Sequence, residues 1–274
     1  MTTTLRPTEP LQRDADGALS RRYQVCVNSR PVGAIHLSTH PGFGPSVARI
    51  EDLRIEEADR RRGRGTVAAL AAEEVARSWG CRTIETRVPA DAEGALRLAT
   101  ALGYRHRNRG MEKPLGTVAP ELPRGTRSRP LTEDEYGPWR QHGVDEYARS
   151  WSSRGAGEAE ARAKAERDTE RLLPHGRNTE DMLLSVLEHE GTRVGTLWLG
   201  FHQDRAYVYD VETDEAFRGR GHGRSLMLLA EAQAVAAGKR VIGLNVFAGN
   251  TPAERLYESL GYVSVGYSMY KNLL

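Results

Sequence analysis

A mixed α/β fold, built twice in tandem, follows from a gapless internal repeat, from alternating strand-like and helix-like hydrophobic periods, and from an ordinary globular composition. The repeat weighs most. Gly63-Arg64-Gly65 recurs as Gly221-His222-Gly223, and Leu102-Gly103-Tyr104 as Leu260-Gly261-Tyr262, both 158 residues on. The same offset joins Asp52 to Asp210, Glu73 to Glu231, Gly80 to Gly238, Val88 to Val246, Arg97-Leu98 to Arg255-Leu256, and Met111-x-Lys113 to Met269-x-Lys271. Between 52–113 and 210–271, 24 of 62 positions are identical, far above chance, so one unit has been duplicated. The stretch 116–130, GTVAPELPRGTRSRP, is rich in proline, glycine and arginine and reads as a linker between domains at 1–115 and 131–274.

The second copy sets out the elements in order. Helices are expected over 134–150 and 157–173, the latter highly charged. Short β-rich runs between polar breaks place strands at 182–189, 193–200 and 206–213. From Gly223 to Ala237, Leu226, Leu229 and Ala230 give an apolar helical stripe, which Gly238 ends. A strand follows at 241–246. Thr251-Pro252-Ala253-Glu254 then reads as an N-cap threonine, a first-turn proline and a glutamate three residues after the cap. Gly261 stops that helix, and 262–271 supplies the last strands. Helices and strands interleaved in this way make a mixed α/β domain.

Charge and composition remove several function classes. Thirty-nine basic against thirty-seven acidic residues leave +2, which argues against a dedicated nucleic-acid coat. No apolar run approaches the roughly 20 residues of a membrane span, and the opening MTTTLRPTEPLQRDADG lacks the apolar core of a signal peptide. Two cysteines, Cys26 and Cys81, are too few for a disulfide framework or a CxxC metal site and read as inert core thiols. The expectation is a soluble, cytoplasmic, metal-free protein with neither nucleic acid nor membrane as partner.

Between a strand and a helix stands Arg218-Gly219-Arg220-Gly221-His222-Gly223-Arg224. Glycines let the backbone approach an anion, the free N–H groups of a first helical turn point at it, and arginines add charge. Tight βα turns carry glycine for steric reasons too, so the turn alone does not decide. A Walker loop would need Gly-Lys-Ser/Thr, and Gly223 is followed by Arg224-Ser225. What decides is the second segment, LNVFAGNTPAERLYESLGY. With DVETDEAFRGRGHGRSLM it closely resembles the GNAT N-acyltransferase superfamily. Arg218, Gly221 and Gly223 match Arg/Gln-x-x-Gly-x-Gly/Ala; Asn250, Ala253, Leu256, Tyr257, Gly261 and Tyr262 match Asn-x-x-Ala-x-x-Leu-Tyr-x-x-x-Gly-Phe, with tyrosine for the final phenylalanine. The likeness covers 130–274 directly and 20–115 through the repeat.

That resemblance implies two tandem GNAT-like domains, each a splayed mixed sheet flanked by helices. The pantetheine arm of acetyl-CoA, or of another acyl-CoA, would lie between two diverging strands. The backbone of Val211 and Thr213 would pair with the pantetheine amides. Amides of Gly219, Arg220, Gly221, His222, Gly223 and Arg224, behind Arg218, would hold the pyrophosphate. Asn250 and Ala253 would contact the cofactor arm, and Tyr257 would face the thioester sulfur. The chemistry agrees. An attacking amine must be neutral, and at pH 7 a lysine-like amine is so only to about one part in 2500. A nearby carboxylate that takes its proton contributes roughly 10²–10⁴ in rate. Glu212 is the first candidate base and Asp210 the second; both alternate with Val211 and Thr213 and so share one face of the strand. Tyr257 is the candidate acid for the departing thiolate. The plainer alternatives are a solvated strand acid for Glu212 and a packing aromatic for Tyr257. No cysteine lies near the motifs, so direct attack is expected.

In the first copy the same offset puts Ala92 for Asn250, Ala99 for Tyr257, Arg61 for Gly219 and Arg54 for Glu212. The first half therefore reads as a degenerate structural or docking unit. Its clusters Arg60, Arg61, Arg62, Arg64 and Arg105, Arg107, Arg109 would face phosphates, an acidic partner, or only solvent. Tyr147 and Trp151, one helical turn apart, line the acceptor groove or pack the core. The predicted function is transfer of an acyl group, most simply acetyl, from acyl-CoA to the primary amine of a small molecule. A tandem plan with one working half is similar to that of the mycothiol synthases. Alternatives are a biosynthetic acyltransferase served by an acyl carrier protein thioester, a protein N-acetyltransferase, and a non-catalytic acyl-CoA sensor.

Overall fold

The computed structural model describes residues 3–15, 17–40, 44–153 and 156–273. The first copy runs β1 (Thr3–Pro7), β2 (Gln12–Arg13), β3 (Leu19–Val27), β4 (Arg30–His40), β5 (Gly44–Ile55), α1 (Arg64–Ser78), β6 (Thr83–Pro89), α2 (Glu93–Ala101) and β7 (Arg105–Pro114). The second runs β8 (Thr126–Pro130), α3 (Glu133–Ser152), α4 (Glu158–Leu172), β9 (Met182–His189), β10 (Thr192–His202), β11 (Arg205–Thr213), α5 (His222–Ala236), β12 (Val241–Phe247), α6 (Thr251–Ser259) and β13 (Val263–Asn272). The α/β class and the doubled plan are as the sequence predicts. Three details differ. The predicted linker 116–130 contains β8, which pairs antiparallel with β9. The last segment is a single strand. The cap of α6 is Asn250, whose Oδ1 accepts from the Ala253 N–H at 3.3 Å, and Thr251 is already helical.

Compact units do not follow the sequence copies. One comprises residues up to Asn108 together with the segment from Gly266 onward; the other runs Arg109–Val265. In the first unit the sheet order is β1-β3-β4-β5-β6, closed by β13, which pairs antiparallel with β6 from Gly266↔Pro89 to Asn272↔Thr83. In the second unit, β8, β9, β10, β11 and β12 are neighbours in turn, and β7 closes the sheet beside β12. Each copy's final strand therefore completes the other's sheet. Met269 is buried in the first core with Ile35, Leu37 and Ile84, and Met111 in the second with Leu197, Leu226 and Ile242. Two residues on, Lys271 Nζ donates to the buried Glu73 at 2.7 Å beside the Tyr104 ring. Lys113 Nζ meets Glu231 and the Tyr262 ring in the same way, also at 2.7 Å. These pairs are why the Met-x-Lys, Glu and Gly-Tyr positions repeat.

A second shared device is a β-bulge. Trp198 faces Asp210 but Leu199 faces Val208, which leaves Tyr209 as the extra residue of β11; in the first unit His36 faces Asp52 and Leu37 faces Ile50, which leaves Glu51. Bulges bend a strand and stop its pairing. The parallel β11–β12 ladder runs only from Arg205↔Val241 to Val208↔Leu244, and β5–β6 only from Val47↔Thr83 to Ile50↔Thr86. Beyond the bulge the strands splay. On the other side β10 follows β11 closely: Gly195 leaves no room for a Cβ against the Glu212 carbonyl.

Candidate functional site

Beside the splay in the second unit stand Arg218, Gly223 and Tyr257 of the residues that the motifs single out. Strand β11 stays paired with β10 as far as Gly195↔Thr213, while its ladder with β12 ends at Val208, so the stretch holding Val211 and Thr213 has its β12-facing edge off that ladder. At its end, Arg218 turns the chain and its Nε donates to the Thr213 carbonyl at 3.3 Å. Gly219 and Gly221 follow with φ of +76° and +88°, Gly221 as the N-cap of α5, and nothing stands within 4 Å of where either Cβ would be. That is an open turn of backbone at a helix N-terminus, with exposed Arg218, Arg220 and Arg224 around it. Arg220 lies over the Phe217 ring and Arg224 Nη2 reaches Ser259 Oγ at 3.3 Å. His222 is buried next to His189 and Phe217, and burial, then the neighbouring positive groups, holds its pKa below the usual histidine value. Gly223 serves packing: a Cβ there would come 3.3 Å from Leu256 Cδ2 on α6.

Tyr257 lies on the buried face of α6, and burial with the nearby Asp210 charge pushes its phenol up to about 12. Asp210, the residue after the bulge, has its carboxyl raised to about 6, mainly by burial and then by Glu212. Asp210, Glu212 and Tyr257 therefore share one electrostatic neighbourhood. Glu212 is more exposed and has two partners. Its Oε2 lies 2.9 Å from Nε2 of His142, on α3, and its Oε1 lies 3.6 Å from Arg218 Nη2. His142 belongs to no motif and to a helix absent from the first copy, so neither signal in the sequence points to it. Asn250 and Ala253 meet each other across the α6 cap, so the Asn250 side chain has a structural task of its own.

Tyr147 and Trp151 pack against Phe247, at the end of β12, with ring centroids 6.3 and 5.7 Å away, and Lys164 lies over both rings. This is a packed aromatic cluster whose Phe247 member borders the splay.

In the first unit the same turn survives with Arg61 at φ +57° and Gly63 at +74°. Gly65 faces Leu98 Cδ2 at 3.3 Å, as Gly223 faces Leu256. Its arginines are less available than their clustering suggests. Arg64 is buried and paired with Asp59, which also holds Arg30, and buried Arg107 pairs with Glu85 at 2.8 Å. Arg109, in the second unit, pairs with Glu258 at 2.8 Å. Of the two arginine clusters, only Arg60, Arg61, Arg62 and Arg105 are exposed. Among the described residues no group of three or more His, Cys, Asp or Glu side chains is placed to hold a metal ion, and no helix is long and apolar enough to cross a membrane.

Comparison with known proteins agrees with the geometry. The model of the acetyltransferase (GNAT) family matches the chain twice, over 2–104 and 140–262. An uncharacterized N-acetyltransferase of Bacillus subtilis (strain 168), YdgE, is 32% identical over 149 residues, which is 52% of this chain and 95% of that protein. A mycothiol acetyltransferase of Gordonia bronchialis is 29% identical over 273 residues, 92% of this chain and 82% of its own. Among solved structures, a GCN5-related N-acetyltransferase from Sphaerobacter thermophilus superposes with a TM-score of 0.59 at 21% identity, covering 92% of this chain and 80% of that one, a likeness of fold.

Proposed function

Starting from the fact that the chain belongs to the GNAT acetyltransferase family, we propose that its second unit transfers an acetyl group from acetyl-CoA to a small-molecule primary amine in the β11–β12 splay. The observation that carries this reading is the bulge at Tyr209, which ends the ladder beside Asp210 and Glu212 and opens a strand edge leading to the glycine turn. The chain's groups fit the donor. Positive-φ glycines with open space above them, and three exposed arginines, suit a diphosphate. The edge of β11 at Val211 and Thr213 suits the pantetheine amides.

Glu212 takes the proton of the incoming ammonium, and the neutral amine attacks the thioester carbonyl. Tyr257 meets the departing sulfur. With its phenol near 12 and a thiol near 8.5, full proton transfer to sulfur would run uphill by about 5 kcal/mol, so Tyr257 donates a hydrogen bond and sulfur keeps a proton shed by nitrogen. Burial, helped by the Asp210 charge, keeps the phenol protonated. Asn250 fixes α6 and with it the position of Tyr257. The first unit, with Ala92, Ala99 and Arg54 at the matching positions, serves as a scaffold. The length over which the mycothiol acetyltransferase aligns supports an amino-sugar conjugate as the first acceptor to try.

Thiol release measured over a panel of amines and acyl-CoAs tests the reading. Tyr257→Phe is expected to lower kcat more than tenfold with the acyl-CoA KM unchanged. An unchanged kcat removes the role of the phenol. Turnover seen only with an acyl carrier protein thioester would favour the carrier-dependent alternative.

A further inference from the structure

Building on the acyl-transfer reading above, we infer that His142 is a positioning residue that conducts the amine's proton from Glu212 to solvent. Stoichiometry demands such an exit. An ammonium and a thioester give an amide, a thiol and one free proton: the C–N bond forms, the C–S bond breaks, sulfur retains one proton from nitrogen, and another must leave the cleft. Glu212 can receive that proton but has to be emptied before the next turnover.

The geometry supplies the way out. His142 Nε2 is 2.9 Å from Glu212 Oε2, and the His142 side chain is 49% exposed against 30% for Glu212. One ring thus touches the carboxylate on one side and bulk water on the other. An imidazole accepts at one nitrogen and releases at the other near neutral pH, which no other side chain does unperturbed. Arg218 at Oε1 leaves Oε2 to the ring, so each oxygen of Glu212 has one assigned partner. The charged surroundings comprise Glu212 and Asp210 from β11, Arg218 from the turn, Glu146 one helical turn along α3, which Arg149 neutralises, and Asp145, which Arg162 of α4 neutralises. Asp210 favours a passing proton, and Arg218 discourages its return to Glu212.

The test uses the full chain and the best amine found for the wild type, followed by thiol release from pH 6 to 9. His142→Ala and His142→Gln are both expected to lower kcat about tenfold or more without changing the acyl-CoA KM, at unchanged melting temperature. Added imidazole should restore His142→Ala, whose rate should also rise with the concentration of small buffers, while wild type ignores both. His142→Gln keeps a hydrogen-bonding group beside Glu212 but cannot titrate, so it should stay slow. A fully active His142→Gln would show that holding Glu212 suffices and would overturn the proton-carrying role. So would a loss in His142→Ala that imidazole leaves untouched, or a wild-type pH profile in that variant. These results leave acyl transfer standing; a wild type that releases no thiol with any acyl-CoA and amine takes both readings down.

Discussion

Asp210 shows how a single buried carboxyl makes stability depend on pH. Its folded pKa of about 6 lies above the ordinary value of 3.8, so between those limits the folded chain binds more protons than the unfolded one. Stability from this group is complete below about pH 4 and is lost as pH rises through 6, by at most about 3 kcal/mol. Asp210→Asn is therefore expected to raise the melting temperature at pH 8, to leave it unchanged at pH 4, and to slow turnover; a melting gain equal at both pH values would contradict the shift. Asp210 and Glu212 were singled out in the sequence by strand alternation and Tyr257 by the motif resemblance, and the fold sets the three in one electrostatic neighbourhood. His142 was not singled out, since its partner comes from a distant strand across a fold that only the coordinates bring together. At the α6 start two signals competed, and the asparagine, whose carbonyl reaches the third amide, won the cap from Thr251-Pro252.

At the level of elements, the turn before α5 separates two uses of glycine that look alike in sequence. Gly221 sits at φ +88°, where a side chain costs roughly 1–2 kcal/mol, whereas Gly223 makes room for Leu256. Gly63 and Gly65 keep both features in the first copy, Gly63 with positive φ and open space around it and Gly65 against Leu98. Gly221→Ala should thus lower the urea midpoint of the second unit and raise the acyl-CoA KM. Gly219→Asn should cost less in stability, because Arg61 adopts the left-handed conformation at the equivalent place. The bulges at Glu51 and Tyr209 do mark the hydrophobic pattern, whose apolar phase slips by one residue from Ala48 and Ile50 to Leu53 and Ile55, and from Ala206 and Val208 to Val211, but a strand read only as a β-rich run passes over the slip. Strand and helix positions were otherwise readable to within a few residues, being set by local periodicity.

Across the whole chain, the repeat revealed that there are two copies but not that their last strands trade places: Met-x-Lys at both ends satisfies either arrangement. The traded strands carry the lysines that neutralise Glu73 and Glu231. Lys271→Met would leave the buried Glu73 without its cation and should cost about 3 kcal/mol, felt in the first unit although the change lies 198 residues along the chain from Glu73. Adding Glu73→Gln should recover part of that loss; a double mutant as unstable as the single would show the pair to be energetically silent.

The closing of β6 by residues 266–272 also has a consequence for biosynthesis. While the ribosome is still making the chain, the first-translated sheet has an unzipped border, and it stays so until residues 266–272 have been made and have cleared the exit tunnel. The earlier-made half thus cannot close its sheet until that later stretch arrives, and for that interval it presents the kind of bare strand border that invites mispairing or chaperone capture.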